Sequence, residues 1–190
     1  MRENNSADGL QRPEIVALTG FMGSGKTTAG RALAELLEWK FVDLDEFIEQ
    51  RAGIAIREIF AQRGEAEFRR IESAALRELL GRCVESMVIA LGGGTFVQPD
   101  NAEALRLIEV RTVFLDLPVN EMLARCAEHD IQMAAGVRPL AQDEVEFRRL
   151  FEARLPFYRK AEIAVSAQEK SAIEIAREIA TRLQITLKKR

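Results

Sequence analysis

A glycine-rich loop, Gly20 to Thr27, has the residue types and spacing to hold phosphate groups. It matches the pattern GxxxxGK[ST] and lies between an apolar run and a helical pattern. Glycines allow backbone N–H groups to turn toward an anion, and the start of the following helix adds partial positive charge. Lys26 adds a full charge that can follow the phosphates during transfer, and Thr27 can offer its hydroxyl to Mg²⁺. We predict a site for ATP with Mg²⁺, contacted by Gly23, Ser24, Gly25, Lys26, Thr27 and Thr28.

Two carboxylates follow the next apolar run, in Asp43-Leu44-Asp45. We place both at the end of a second strand, where alternation sends them in related directions. Asp43 could then hold Mg²⁺ through water, while Asp45 could accept a hydrogen bond from a substrate hydroxyl and take its proton. Capping of the following helix is the alternative, especially for Asp45. The loop alone leaves the acceptor open, because GTPases, ATPases and small-molecule kinases share it.

Three later features could bind a small acidic acceptor. Arg69 lies beside an apolar stripe, where its guanidinium could hold a carboxylate through two hydrogen bonds, or form a surface ion pair. Gly92 to Gly94 follow a strand pattern, so that their backbone could approach a ligand or make a plain turn. Arg154 begins Arg-Leu-Pro-Phe-Tyr near a predicted helix end, where it could bind substrate or favour the helix dipole. The residues alone leave these alternatives open.

Short apolar runs and helical patterns alternate along the chain. This alternation predicts an α/β fold with a five-stranded parallel sheet, helices on both faces, and ligands at the carboxyl ends of the strands. The first helix follows Lys26, and Ser171 and Glu174 form a capping box for the last one. The predicted strands are 15–18, 41–44, 88–91, 112–115 and 163–165, and the later helices are 45–52, 56–62, 65–80, 102–108, 121–127, 143–153 and 171–183.

The composition excludes several classes of function. A net charge of −3 gives no general attraction to nucleic acid or to an anionic membrane. No apolar stretch is long enough to cross a bilayer, and we expect a cytoplasmic monomer. Cys83 and Cys126 lack metal-ligand spacing and should be reduced, and the lone His129 is expected to be solvated. We expect a flexible tail over 1–14 and a single domain over 15–190.

Taken together, these segments resemble the shikimate kinases from Ile15 to Tyr158. The resemblance is carried by a series in the family's order and approximate spacing, and gluconate and nucleoside monophosphate kinases share the loop and sheet but not this later series. The series is GFMGSGKTTAGRALAELL, FVDLDEFIEQRAG, IREIF, GEAEFRRIE, VIALGGG, VFLD, RPL and RLPFY.

The resemblance implies a P-loop kinase fold with a helical substrate-binding insert, about 45–80, and a mobile lid, about 126–142. It also implies transfer of the ATP γ-phosphate to the 3-hydroxyl of shikimate, a step of aromatic amino acid biosynthesis. By the same resemblance Asp45 meets the reacting hydroxyl, and Arg69, Gly93 and Arg154 hold the substrate. The lid arginine, Arg138, reaches the transferring phosphate, and Arg125 lies near adenine.

The chain departs from the family's pattern in three places. The stretch from Arg125 to Arg138 is several residues longer than usual, Leu91 replaces a common hydroxyl residue, and Glu162 replaces a common aspartate. Two other functions are weighed against the leading one. A P-loop kinase of another hydroxy acid, such as gluconate, would leave Arg69 and Arg154 without a carboxylate. A catalytically inactive nucleotide-binding regulatory module would not need Lys26 and Asp45.

Overall fold

Five parallel strands form the sheet at the centre of the protein. The computed structural model describes residues 13–132 and 143–186. The strand order is β2-β3-β1-β4-β5, and every pairing is parallel. The strands are β1 (Ile15–Thr19), β2 (Lys40–Asp43), β3 (Met87–Ala90), β4 (Arg111–Asp116) and β5 (Ile163–Ser166). The predicted five-stranded α/β fold is confirmed.

Helices connect successive strands and cover both faces of this sheet. A short 3-10 helix, Thr95–Val97, follows β3. The α-helices are α1 (Lys26–Leu37), α2 (Leu44–Ala52), α3 (Ile56–Gly81), α4 (Pro99–Leu107), α5 (Val119–Gln132), α6 (Glu144–Tyr158) and α7 (Ala172–Arg182). In the described part of the chain, no helix is both long and apolar enough to span a bilayer.

The central strand β1 contributes to two hydrophobic clusters, one on each face of the sheet. Val16 and Leu18 join the cluster that α1 and α7 cover, while Ile15 and Ala17 join the one that α2 and α3 cover. Successive side chains of a strand point to opposite faces, so a strand buried on both faces must be apolar at every position. Its carboxyl end leads directly into the glycine-rich loop.

Several predicted boundaries differ from the observed ones, and two of these differences concern site residues. Leu44 begins α2 instead of ending β2, because Asp43 accepts from the backbone N–H groups of Asp45 and Glu46 and caps the helix. Asp45 therefore lies on the first turn of α2, within the predicted helix 45–52, and strand alternation does not set its direction. Helix α6 continues through Pro156 to Tyr158, where the sequence predicts an end near residue 153.

Other local signals are confirmed. Ser171 and Glu174 form the predicted capping box, with both reciprocal hydrogen bonds present. The gap predicted between the helices 56–62 and 65–80 appears as a break inside α3, where Gly64 adopts φ 77° and ψ 173°. The break is a kink that separates the first part of α3 from its second half, which carries Arg69.

Candidate active site

The glycine-rich loop joins β1 to α1 at the carboxyl edge of the sheet. Gly23 and Gly25 have φ values of 76° and 91°, a backbone region that suits glycine. A Cβ at Gly23 would lie 2.7 Å from the carbonyl oxygen of Met122 and 2.9 Å from Sγ of Cys126. Helix α5 thus packs directly against the loop backbone, and glycine is required for that contact.

The start of α1 carries partial positive charge. Its first turn contains no acidic residue, so nothing on the helix offsets the partial charge of its amino end. Lys26 Nζ donates to the carbonyl oxygen of Phe21 over 2.9 Å, which holds the ammonium group over the loop. Ser24 Oγ is buried and has no hydrogen-bond partner within 13–132 and 143–186. These groups make a cradle for a polyanion.

Thr27 and Asp43 bring two oxygen atoms together beside this cradle. Thr27 Oγ1 donates to Asp43 Oδ2 over 2.7 Å, and Asp43 Oδ1 accepts from the Asp45 backbone N–H over 3.0 Å. Asp43 therefore caps α2 and faces the loop with its other oxygen. Carboxylate and hydroxyl oxygens are the ligands that Mg²⁺ prefers, so this pair fits the ion. Among the described residues, no group of three or more His, Cys, Asp or Glu side chains could hold a metal.

Asp45 lies next to Gly92, the first residue of the glycine triplet Gly92 to Gly94. A Cβ at Gly92 would lie 2.8 Å from Asp45 Oδ1, 2.9 Å from Glu72 Oε1 and 3.0 Å from Thr95 Oγ1. Three oxygen atoms from α2, α3 and the 3-10 helix therefore surround one glycine. Asp45 itself is exposed, so a bound molecule could reach it.

Arg69 is held between a buried and an exposed carboxylate. Its Nη1 donates to Glu72 Oε2 over 2.9 Å, and its Nε and Nη2 donate to Glu65 Oε1 over 3.3 and 3.1 Å. The side chain of Glu72 is 1% exposed and that of Glu65 is 66% exposed. Burial works against the charge of Arg69, but Glu72 and then Glu65 outweigh it and raise the pKa of the guanidinium. Arg69 is therefore a fixed cation.

Gly93 and Gly94 lie between the two arginines. A Cβ at Gly94 would lie within 2.7 Å of three atoms of the Arg69 guanidinium, which stacks against this backbone. Arg154 Nη1 donates to the Gly93 carbonyl oxygen over 3.3 Å. A Cβ at Gly93 would lie 3.6 Å from the Met22 backbone nitrogen. The triplet thus adjoins both arginines and the glycine-rich loop.

Helix α6 ties Arg154 to the loop. The Arg154 guanidinium lies 5.8 Å from the ring centre of Phe21, a fully buried loop residue. Phe21 also packs edge-on against Phe147, with ring centres 4.9 Å apart. Because loop and helix share this aromatic contact, the position of Arg154 depends on the position of the phosphate cradle.

Tyr158 contacts the glycine triplet through its hydroxyl. Its hydroxyl donates to the Gly93 carbonyl oxygen, and its ring stacks on Phe114 with centres 5.5 Å apart. Burial raises the pKa of Tyr158 to about 12, against a smaller lowering effect of Arg154. The hydroxyl therefore remains protonated and donates throughout the physiological range.

Arg125 on α5 lies beside the glycine-rich loop. Its Nη1 is 3.5 Å from the position of a Cβ at Gly25, so the structure places it beside the phosphate loop. Thr28 is exposed on α1. Arg138 lies outside the described residues, as do the side chain of His129 and most of the predicted tail and lid. Glu162 binds Arg111 at the far end of β4, away from the loop.

The sequence did not single out Glu72, Thr95 or Tyr158 as parts of the site. Glu72 is a carboxylate on an apolar helix face, a signal that a buried partner would be needed. The Thr95 hydroxyl is such a partner, since it donates to Glu72 over 2.6 Å. No local pattern marks Thr95, because its contact joins elements 23 residues apart.

The arrangement of these residues could hold two molecules next to each other. A polyanion in the loop would have its end near Lys26 and Thr27, and an acidic acceptor held by Arg69 and Arg154 would lie beside Asp45. Such an arrangement suits transfer of a phosphoryl group to a hydroxyl, which depends mainly on positioning and charge.

Comparisons with known proteins point to one family. The sequence model described as shikimate kinase matches residues 22–184. The chain is 44% identical over 169 residues to a shikimate kinase of Thermus thermophilus, a match that covers 89% of each chain.

Solved structures of the same family are also similar. A shikimate kinase from Acinetobacter baumannii in complex with shikimate has a TM-score of 0.80 and 36% identity, over 93% of this chain and 96% of that one. The shikimate kinase from Bacteroides thetaiotaomicron has a TM-score of 0.78 and 32% identity, over 90% and 99% of the two chains. The similarity therefore includes the fold as well as the sequence.

Proposed function

The chain belongs to the shikimate kinase family and is an ATP-dependent phosphotransferase, and we propose that it transfers the γ-phosphate of ATP to the 3-hydroxyl of shikimate. The products are shikimate 3-phosphate and ADP. One observation carries the proposal: the glycine triplet adjoins the phosphate loop through Gly93 and the Arg69 guanidinium through Gly94. A phosphate donor and an acidic acceptor would therefore meet over Gly92 to Gly94.

In this proposal the acceptor is recognised by its carboxylate. Arg69 keeps its Nη1 on Glu72, and its Nε–Nη2 edge, now facing the exposed Glu65, is the edge that a carboxylate can engage through two hydrogen bonds. Arg154 and Gly93 complete the grip on the carboxylate and the ring hydroxyls. An acceptor that lacks a carboxylate would leave the Nε–Nη2 edge of Arg69 on the exposed Glu65 and would give Arg154 no carboxylate to bind.

Asp45 is proposed to accept the proton of the 3-hydroxyl. It is exposed on the first turn of α2 and lies beside Gly92, on the acceptor side of the triplet. As the oxygen attacks the γ-phosphate in line, Asp45 orients the hydroxyl and takes its proton. The proton thus leaves the acceptor oxygen as the new P–O bond forms and the bond to the ADP oxygen breaks.

Phosphate charge is proposed to be balanced by the loop. Gly23, Ser24, Gly25 and Thr28 bind the phosphates, and Lys26 follows the charge from the γ-phosphate to the ADP oxygen. Thr27 directly and Asp43 through water would hold Mg²⁺, which supplies positive charge to the phosphate oxygens when bound. Arg125 is proposed to lie near adenine.

The remaining assignments concern the lid, the insert and the state of the protein. Arg138, in the segment proposed as a lid (about 126–142), is assigned to the transferring phosphate. Helices α2 and α3 are assigned as the substrate-binding insert (about 45–80) of a single domain. A monomeric state and a cytoplasmic location also stay predictions.

The acceptor is tested by offering one enzyme several acceptors. The full chain with ATP and Mg²⁺ is given shikimate, gluconate or a nucleoside monophosphate in turn, and ADP release is followed. We expect ADP release that depends on shikimate and exceeds that with the other two. Equal release with gluconate would favour the other-hydroxy-acid kinase, and no acceptor-dependent release would favour the inactive regulatory module.

A further inference from the structure

Thr95 is a buried residue beside Glu72, in the part of the site that is proposed to bind the acceptor. It is the first residue of the 3-10 helix after the glycine triplet and is 0% exposed. Its Oγ1 donates to Glu72 Oε1 over 2.6 Å, while the other oxygen of Glu72 accepts from Arg69 over 2.9 Å. A single hydroxyl therefore holds one end of the carboxylate whose other end holds the substrate-facing arginine.

We propose that Thr95 is a positioning residue that fixes the direction of Arg69 through Glu72. The Glu72 side chain is 1% exposed, so each of its oxygens needs a donor from the protein. If the Thr95 hydroxyl were absent, Oε1 would lose that donor, and the carboxylate could regain one only by rotating toward Arg69. Rotation would draw the guanidinium away from its present direction.

A second carboxylate, that of Asp45, further constrains the direction of the Glu72 side chain. Asp45 Oδ1 and Glu72 Oε1 lie 2.8 and 2.9 Å from the same point, the position of a Cβ at Gly92. The two oxygen atoms therefore lie within about 6 Å of each other, a range in which like charges repel, and the repulsion weakens when one of them accepts a hydrogen bond. The Thr95 hydroxyl, 3.0 Å from that point, is therefore placed to hold Glu72 Oε1 against this repulsion and to prevent the rotation toward Arg69.

The hydroxyl is itself fixed by the backbone around it. Thr95 donates its backbone N–H to the Gly92 carbonyl oxygen over 3.1 Å, and its own carbonyl oxygen accepts from Asn101 Nδ2 over 3.1 Å. Asn101 is 0% exposed, and its Oδ1 has no partner in the described part of the chain. Asn101 therefore anchors the backbone of Thr95 through a buried hydrogen bond.

The inference rests on the proposed binding of the acceptor's carboxylate by Arg69, and its test separates the two. Thr95→Val removes the hydroxyl at nearly constant volume, and Thr95→Ser retains it. Shikimate affinity is measured by calorimetry and kcat by ADP release, for each variant alone and in an Arg69→Lys background. We expect Thr95→Val to weaken shikimate binding roughly tenfold, the scale of one buried hydrogen bond to a charged group. Thr95→Ser should bind as the parent does.

The expected effect on ATP is small, because Thr95 lies on the acceptor side. The KM for ATP of Thr95→Val should stay within about twofold of the parent value, as one removed hydrogen bond need not alter a separate site. Thr112→Val is the matched control, since it also removes a threonine hydroxyl that forms a hydrogen bond, to the Glu162 backbone, far from the triplet. It should leave shikimate affinity unchanged.

The Arg69→Lys background supplies the decisive comparison. A lysine cannot hold Glu72 and a carboxylate through a planar fork, so Thr95→Val should cause little further loss there. An equal loss in both backgrounds, or no loss in either, would overturn the role of Thr95. If Arg69→Lys alone left shikimate binding unchanged, the proposed role of Arg69 would fail instead. Should Thr95→Val not fold, Thr95→Ala tests the same hydroxyl with the same expectations.

Discussion

Arg69 donates to Glu72 with one side of its guanidinium and leaves its Nε–Nη2 edge facing outward, where the exposed Glu65 accepts from it. The two carboxylates differ in burial, at 1% and 66% side-chain exposure. A buried partner orients the arginine permanently, whereas an exposed partner contributes little and can be displaced. The outer edge is thus available to an incoming carboxylate.

Removing the charge of Glu65 should therefore strengthen the binding of shikimate. Glu65→Gln is expected to lower the KM for shikimate by about two- to fivefold, because an exposed ion pair contributes only about 0.2–1 kcal/mol. Steady-state ADP release at varied shikimate checks this. Glu67→Gln is the control, since Glu67 pairs with the exposed Arg70 and not with Arg69. A higher KM in Glu65→Gln would indicate that Glu65 contacts the acceptor and does not compete with it.

Asp45 should matter for the chemical step and not for nucleotide binding. Asp45→Asn is expected to lower kcat by about 10²–10⁴-fold, the range for a general base, with ATP affinity nearly unchanged. ADP release and calorimetry of ATP binding measure the two quantities. Asp100→Asn, an exposed change on the first turn of α4, serves as the control. Near-normal turnover in Asp45→Asn would remove Asp45 from its proposed role.

Gly92 should tolerate no side chain. A Cβ there would lie within 3.0 Å of oxygen atoms from Asp45, Glu72 and Thr95, so Gly92→Ala must displace at least one of them. We expect at least a roughly tenfold loss of kcat/KM for shikimate, since small displacements at a reacting site are costly. Gly81→Ala is the control, because a Cβ there meets nothing within 4 Å. If Gly92→Ala retained full activity, the packing around this glycine would not hold the site together.

Tyr158 should titrate far above the ordinary value for a tyrosine. The protein contains a single tyrosine, so the ultraviolet absorbance of tyrosinate reports this residue alone. Burial raises its pKa to about 12, and we expect the absorbance to rise with a midpoint there while the protein remains folded. A midpoint near the ordinary value of about 10 in folded protein would contradict the buried environment of the hydroxyl.

The same shift has a consequence for stability. Because the folded state holds the proton of Tyr158 more tightly than the unfolded state does, its contribution is fully present below pH ~10 and is lost as the pH rises toward ~12. The loss in the free energy of unfolding should be about 2–3 kcal/mol. Denaturant unfolding at several alkaline pH values measures it, and Tyr158→Phe should lack this component of the pH dependence.

The phosphate side of the site follows largely from local sequence, and the acceptor side does not. The loop from Gly20 to Thr27 is contiguous, so the flanking strand and helix place its groups with little help from the rest of the fold. Arg69 and Arg154 come from separate helices and converge only because Gly92 to Gly94 lie between them. A family resemblance could assign these residues, whereas periodicity alone left an ion pair and a dipole contact as alternatives.

The errors near Asp43 have a specific physical cause. The sequence run Phe41 to Leu44 fits a strand by its apolar character, but a side-chain cap on α2 competes with strand extension at this point. Asp43 forms that cap, and the helix begins one residue later. The contacts of Thr95 with Glu72 could not be predicted at all, because they depend on how the 3-10 helix packs against α3.

Transfer of the γ-phosphate of ATP to the 3-hydroxyl of shikimate is the reaction on which every proposed role depends. It is measured most directly by phosphorus NMR of the full chain with ATP, Mg²⁺ and shikimate, followed until the γ-phosphate signal is consumed. We predict one new phosphomonoester signal that correlates with the proton on carbon 3 of shikimate, together with ADP. Inorganic phosphate as the product, or a phosphomonoester at another hydroxyl, would contradict the proposed reaction.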